Sequence, residues 1–424
     1  MKQKPKGSID MKRIIITLAI ALAIITATVG VYAESLTPAL DVLAQKSSLT
    51  VSGITGESVY FSEDSFGEAA LTDDFDAVTV LSLPNAEDGV LMLNDAAVCA
   101  NQVISRASLS ALHFDPAPNV TVASFDYTFD HAYTMECSIV FTDRSNSAPI
   151  APEGASLETF SGVACSGCMR AGDPDGDDFS YEITSYPEKG ALDFNSVSGE
   201  FVYTPTSGSG SDSFSYRVRD SYGAYSQTSD VFISITRDKT GLVFNDMKDS
   251  TVYTAAASLT DMGIIQCSST KSGTAFEPEK TVSRMDFLVS AMDTLGAGNI
   301  PHITDTGFSD NDDIPEKLRG YVYSAAKLGI ISGIKNEEGE TCFMPDKEIT
   351  RGQAATVLNN IIGYTPTVGL KSADQVPSWA GKAVNAMYEL GIYDLKDGKA
   401  EAGSLVTRED QAKMLFSLAS LVNE

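Results

Sequence analysis

The sequence predicts a multidomain chain: two all-β sandwich domains followed by an all-α domain of three helix–loop–helix repeats. Three observations predict this fold class. Short β-rich runs bounded by turn residues follow one another at about ten-residue spacing, as the strands of a sandwich do. From about residue 244 the texture turns helical, with Ala, Leu and other helix formers placing apolar residues on one face. From there to residue 415 one pattern is written three times, which marks stacked supersecondary units. The expected division is a leader at 1–33, a β-sandwich domain at 34–146, a second at 147–238, and the repeats at 239–424, with copies at about 241–298, 303–363 and 368–424.

The leader has the three parts of a secretory signal. Lys2, Lys4, Lys6, Lys12 and Arg13 precede an apolar run from Ile14 to Val29, and Val31-Tyr32-Ala33 sets small residues at the cleavage positions. The run is short for a membrane span, which needs roughly 20 residues. Cleavage before Glu34 is therefore expected, with an uncleaved N-terminal anchor as the alternative. No second run of this kind follows, so the mature chain is expected to be soluble or held by binding.

At 424 residues the chain exceeds one typical core, and its 43% hydrophobic content suffices for folded domains. The formal net charge is −27, and loss of the leader removes five cations against one anion, Asp10. So acidic a chain repels nucleic acid and anionic membrane. Any grip on an anionic polymer must then be local. The six cysteines, at 99, 137, 165, 168, 267 and 342, are too sparse for a disulfide framework. Cys165-Ser-Gly-Cys168 matches half a zinc or redox motif, but it lacks a second C-x-x-C, and His113, His131 and His302 are scattered. A local disulfide or free thiols are expected there.

Strands are expected at Ser48–Val51, Ser58–Phe61, Ala77–Leu81, Val90–Leu93, Phe125–Phe129 and Cys137–Phe141, forming an antiparallel sandwich. Asn146-Ser-Ala-Pro149 reads as a linker. Beyond it, Phe179–Ile183, Ala191–Phe194, Glu200–Tyr203, Asp212–Val218 and Val231–Ile235 read as strands of the second sandwich, and Thr204–Gly210 as a loop.

This second region resembles the bacterial cadherin-like, Ig-type tandem repeats. The matching residues are Asn146-x-Ala-Pro149, Asp173-Pro-Asp-Gly-Asp-Asp178, Gly199-x-Phe-Val-Tyr-Thr-Pro205, Ser211-Asp-Ser-Phe-Ser-Tyr216 and Asp220-Ser-Tyr-Gly223. A weaker match covers the first β domain through Gly89–Asn94, Gln102–Ser105 and Leu112–Pro116. The resemblance implies spacers or adhesive surfaces. Asp173, Asp175 and Asp177 alternate around a turn, so their hard oxygens can converge on a calcium ion, with Asp178 and Asp220 available to complete the shell. The alternative is an Asx-rich turn whose carboxylates bond only backbone amides. No other cofactor is expected.

The threefold pattern runs Phe244-Asn-Asp246, Gly263-Ile-Ile265, Phe276-Glu-Pro278 and Val282-Ser-Arg284 in copy one. Copy two runs Phe308-Ser-Asp310, Gly329-Ile-Ile331, Phe343-Met-Pro345 and Ile349-Thr-Arg351, and copy three Ser372-Ala-Asp374, Gly391-Ile392 and Val406-Thr-Arg408. Asp246, Asp310 and Asp374 are expected to cap a first helix and Gly263, Gly329 and Gly391 to end it. Ser283, Thr350 and Thr407 should cap a second helix, with Asp286, Gln353 and Asp410 as capping-box partners. An arginine just inside a helix N-terminus opposes the dipole by some tenths of a kcal/mol. Three such residues, Arg284, Arg351 and Arg408, point to an anion bound beside free amides; pairing with a neighbouring repeat's Asp is the alternative.

The repeat resembles the S-layer homology (SLH) domain across residues 244–420. That resemblance implies non-covalent binding of an anionic, pyruvylated secondary cell-wall polysaccharide in grooves between repeats. Carried over by motif, the binding residues would be Asp246, Asp310, Asp374, Gly333, Arg284, Arg351 and Arg408. Cys267 and Leu395 replace the loop glycine in copies one and three, and Ala400-Glu-Ala402 replaces Phe-x-Pro in copy three. Copy two is closest to the pattern, which makes Arg351 the first candidate. The chain is therefore expected to be secreted, held at the bacterial cell wall, and not an enzyme. An S-layer lattice subunit, or a surface enzyme with a site in the β region, are the competing readings.

Overall fold

The computed structural model describes residues 48–70, 75–129, 134–152, 154–206, 208–270, 273–297, 300–367 and 369–423. The expected leader and His131 lie outside them. The chain divides into two compact units, residues 1–145 and 146–424.

In the first unit, strands β1 (Ser48–Ile54), β2 (Val59–Tyr60), β3 (Ala77–Val80), β4 (Gly89–Leu93) and β5 (Ala96–Ala97) precede β6 (Gln102–Ser105), β7 (Leu112–Pro116), β8 (Val122–Phe129) and β9 (Met135–Thr142). One sheet has the order β1-β9-β8-β3-β6 and the other β2-β7-β4-β5. Alternation sends Phe125 and Tyr127 of β8 and Cys137 and Ile139 of β9 inward, where all four are buried. A short helix α1 (Glu63–Ala70) drops Phe66 into this core, edge-on to Tyr127 at 5.1 Å between ring centres. Full burial of each such ring is worth about 2–3 kcal/mol.

The second unit begins with seven strands: β10 (Ala155–Phe160), β11 (Cys165–Cys168), β12 (Phe179–Ser185), β13 (Gly190–Phe194), β14 (Glu200–Pro205), β15 (Gly210–Asp220) and β16 (Ser229–Thr236). They form sheets of order β10-β16-β15-β12 and β11-β14-β13. The first unit follows the same plan with β5 and β6 added at its edges. In both sandwiches the opening strand pairs in parallel with the closing one, β1 with β9 and β10 with β16. This corrects the purely antiparallel expectation: residues far apart in sequence can pair in parallel without a tight turn between them.

The helical part carries α2 (Tyr253–Asp261), α3 (Arg284–Thr294), α4 (Arg319–Lys327), α5 (Arg351–Ile362), α6 (Ser378–Glu389) and α7 (Arg408–Asn423). It is not all-α. Hairpins β17–β18 (Ser268–Thr270, Gly273–Ala275) and β19–β20 (Ile334–Lys335, Thr341–Cys342) follow the first helices of copies one and two. Gly263, Gly329 and Gly391, at φ +76, +73 and +76, do end those helices. Beyond each, the next amide reaches back five residues, as Ile264 N does to the Leu259 carbonyl at 2.9 Å.

The sandwich and the helices share one core. Phe160 and Cys168 are buried in the same cluster as Phe276, Phe287 and Tyr388. Cys165 instead faces the sandwich interior with Tyr203 and Phe214. Three steps along an extended strand separate the two sulfurs' attachment points by about 10 Å, well beyond disulfide reach. Both are free thiols, and burial pushes Cys165 up to about 11 and Cys168 up to about 12. In the native chain a thiol reagent at about pH 8 should modify exposed Cys99 quickly and spare Cys165 and Cys168 until denaturant is added. Peptide mass mapping checks this; rapid native labelling of Cys168 would contradict the shared core.

Candidate functional site

The three copies close into a ring. Val282 N donates to the Val406 carbonyl at 2.9 Å, Val406 N to Ile349 at 2.9 Å, and Ile349 N to Val282 at 3.0 Å. These three residues are buried and immediately precede the N-caps of α3, α5 and α7. Ser283 caps α3 by accepting from Asp286 N at 3.0 Å. Thr350 with Gln353, and Thr407 with Asp410, form reciprocal capping boxes.

The first-turn amides are not free. Arg284 N and Met285 N donate to the Lys347 and Pro345 carbonyls of copy two, and Arg351 N and Gly352 N to Ser404 and Ala402 of copy three. Arg408 N and Glu409 N return to Lys280 and Pro278 of copy one. Each helix start is thus satisfied by the neighbouring repeat, and an anion would have to rely on side chains. This corrects the expectation of open amide-rich helix starts.

The repeated aspartates also act differently from a cap. Tyr253, Arg319 and Ser378 begin the first helices well downstream of them. Asp246 accepts from Phe276 N at 2.9 Å and Glu277 N at 2.7 Å; Asp310 accepts from Phe343 N at 2.8 Å and Met344 N at 2.6 Å. Asp374 does the same for Ala400 N at 2.7 Å and Glu401 N at 2.9 Å. Glu277, Met344 and Glu401 sit at φ +59, +57 and +49, a conformation costing about 1–2 kcal/mol for a residue with a Cβ. Two charge-assisted bonds from each aspartate offset that strain. Gly333 is required beside this loop, since at φ +74 an added Cβ would come within 2.6 Å of Phe308 and 3.0 Å of the Cys342 carbonyl.

Each arginine crosses to the loop of the next copy. Arg284 Nε donates to the Phe343 carbonyl at 2.9 Å, with the guanidinium 5.4 Å from that ring's centre. Arg408 Nε donates to Phe276 at 2.6 Å and its Nη2 to Gln266 at 2.8 Å, with Phe276 below it at 4.8 Å. In copy three, which lacks the phenylalanine, buried Tyr393 supplies the ring under Arg351 at 4.6 Å and donates its hydroxyl to the Ala400 carbonyl at 2.5 Å. The arginine of one copy is therefore set beside the aspartate-held loop of the next: Arg284 with Asp310 and Gly333, Arg351 with Asp374 and Leu395, Arg408 with Asp246 and Cys267. Nothing in the linear pattern signals this offset.

Arg351, the first candidate from the sequence, is the most deeply held, at 2% exposure. Its Nη1 donates to Asp410 at 2.8 Å and its Nη2 to the Asp394 carbonyl at 2.6 Å. Burial would raise the Asp410 carboxyl, but Arg351 and Lys396 outweigh it and hold the group below the usual carboxylate range. For Arg284, the only hydrogen bond among the described residues uses Nε, leaving the paired Nη edge of the fork unspent.

Upstream, Asp173, Asp175 and Asp177 each bring one oxygen within 4.8 Å of the others. Asp173 Oδ1 accepts from Asp175 N at 2.9 Å and Asp177 N at 3.1 Å, while its buried Oδ2 has no hydrogen-bond partner. A hard-oxygen donor set with an unsatisfied carboxylate oxygen fits calcium. Asp178 and Asp220 are committed elsewhere: Asp178 to Lys371, and Asp220 to Asn146 Nδ2 and to Tyr222 N and Ala224 N. His113 stacks on Tyr60 at 5.0 Å and lies 3.6 Å from Asp115, and exposed His302 faces Glu316.

Two measurements test this geometry. Gly329→Ala meets nothing within 4 Å and should cost only about 1 kcal/mol of backbone strain, whereas Gly333→Ala adds a backbone clash and should cost clearly more in urea unfolding. Asp374 and Asp410 both have depressed pKa values; burial pushes each up, but hydrogen bonds, and for Asp410 the cations, prevail. Their stabilisation is complete above the unfolded pKa of about 4 and is lost as pH falls through the lower folded values. An acid titration followed by circular dichroism should accordingly show helix loss only below about pH 4.

Family models match two segments: a bacterial cadherin-like domain at residues 146–237 and an S-layer homology domain at 307–355. No curated protein matches the chain. Among solved structures, an endo-fucoidan hydrolase of glycoside hydrolase family 107 is 16% identical over 38% of this chain and 23% of its own, with a TM-score of 0.19. Drosophila N-cadherin EC1-3 is 14% identical over 46% of this chain and 66% of its own, at 0.20, and human protocadherin-24 EC1-2 is 13% identical over 46% and 96%, at 0.19. The chain spans about a quarter of the hydrolase. Among the described residues no helix is long and apolar enough to cross a membrane. The chain thus carries a bacterial cadherin-like domain followed by an S-layer homology domain, non-catalytic modules of the cell surface and cell wall.

Proposed function

We propose that this is a secreted, non-enzymatic surface protein, anchored non-covalently through three SLH repeats to an anionic, pyruvylated secondary cell-wall polysaccharide. In this reading residues 1–33 are the signal peptide, 34–146 and 147–238 are Ig/cadherin-like sandwiches serving as spacer or adhesive modules, and 239–424 are the repeats. The arginines at Arg284, Arg351 and Arg408, the aspartates at Asp246, Asp310 and Asp374, and Gly333 line the grooves. The observation that carries it is the unspent Nη edge of Arg284 in the groove holding both Asp310 and Gly333. A planar fork with two parallel donors suits a ketal carboxylate, and each such bond is worth about 1.5–3 kcal/mol.

The test is co-sedimentation of the full chain with purified cell wall. Arg284→Ala should weaken retention by about tenfold or more, matching the loss of one such bond. Walls stripped of the polymer, or of its acidic ketals, should retain no chain. Equal retention on bare peptidoglycan would refute the mechanism.

Asp173, Asp175 and Asp177 would hold a calcium ion that stiffens the entry to the second sandwich. Extracellular calcium modules bind at about 0.1–1 mM, so about 10 mM calcium should raise the unfolding temperature by several degrees. Asp175→Asn should abolish that shift in differential scanning calorimetry.

A further inference from the structure

The cadherin-like sandwich lies on the helical ring at several points. Phe160 N donates to Thr254 Oγ1 at 3.0 Å, and Lys413 Nζ to Ser166 Oγ at 3.0 Å. Arg170 Nη1 reaches the Glu389 carbonyl at 3.4 Å, and Lys371 binds the Asp177 carbonyl at 2.8 Å and the Asp178 carboxylate. Asp397 N donates to Glu200 Oε1 at 3.0 Å, which sets the β13–β14 hairpin over the loop of copy three.

That loop belongs to the groove of Arg351. A half-open cleft of about 490 Å³ lies between them, with Arg351, Leu395 and Lys396 on the helical side and Asp193, Asn195 and Glu200 on the sheet side. The helical side is already balanced, with Arg351, Lys396 and Lys413 facing Asp394, Glu409 and Asp410: Asp410 takes Arg351 and Lys396, and Asp394 takes Lys413 at 2.6 Å. The sheet then adds two carboxylates and no cation. The cleft is therefore acidic overall, and a carboxylate entering it would meet like charge without gaining a partner.

We infer that the docked cadherin-like domain is a specificity element: it roofs and acidifies the groove between copies two and three, so that this groove refuses an anionic wall polymer while the other two stay unroofed by it. The claim rests on the anchoring reading above. Polymer would then engage the ring through the grooves of Arg284 and Arg408; with the sheet withdrawn, a carboxylate could take Arg351 Nη1 from Asp410, which keeps Lys396, and so add a third.

The test uses the full chain and a Phe160→Ala/Arg170→Glu/Lys371→Glu triple variant, which removes a buried contact with the helices and two polar ones, all outside the groove. Two quantities are read: amide exchange of residues 394–397, and the number of binding sites for a methyl glycoside bearing a pyruvate ketal, by calorimetry. In the variant the loop should exchange at least about tenfold faster, as loss of a fixed hydrogen bond requires, and one further ketal site should appear. Unchanged exchange would overturn the docking. Faster exchange with no added site, while the parent chain still binds ketal, would overturn the roofing as a determinant of specificity. Faster exchange with no ketal binding by either protein would overturn the anchoring reading, and this specificity claim with it, leaving only the contact.

Discussion

Everything in the C-terminal half depends on one closed cycle of backbone hydrogen bonds. Val282, Ile349 and Val406 each donate to another member and accept from the third, so no copy has a complete first turn of its second helix without its neighbour. Helix starts present amides that must be satisfied somewhere. Here the carbonyls of the next loop satisfy them, and that loop is held in a left-handed kink by an aspartate of its own copy. Three short units, none able to bury its apolar face alone, become one body because each supplies what another lacks.

The same cycle places the charges. An arginine at the first helical position is disfavoured by the dipole, yet here the guanidinium lies across the adjacent loop, over an aromatic ring and against a carbonyl. These contacts position the cation whether or not a ligand is present, and they differ among the copies. Arg284 spends one nitrogen on its loop, Arg408 two, and Arg351 both of its Nη atoms, one of them on a carboxylate. A net-acidic chain can therefore keep isolated basic forks, and the fork with most capacity left is not the one whose own copy best fits the pattern.

Much of this was legible in sequence. Turn spacing and alternation gave most strands of both sandwiches, and the caps Ser283, Thr350 and Thr407 and the stops Gly263, Gly329 and Gly391 fell where propensity places them. What was hidden lay between distant residues. The parallel first strand β10 carries few alternating apolar residues, and β11 is four residues of small and thiol side chains. The aspartates read as caps because a carboxylate ahead of a helix is indistinguishable, in one dimension, from one that bonds amides 30 residues downstream. Tyr393 could not be recognised as the stand-in for a missing phenylalanine, since it reaches the same place from another point of the chain. The partnership of each arginine with the following copy required the ring itself.

The parallel pairing of β10 with β16 has a mechanical consequence. Chain enters the sandwich at one end of this pair and leaves at the other, so tension along the polypeptide slides the two strands past each other. Every bond across Ala155–Phe160 and Val231–Thr236 then resists at once, instead of parting one after another as in a peeled hairpin. With the helical ring fused to the same core, tension on the sandwich would reach the ring as shear through one packed body.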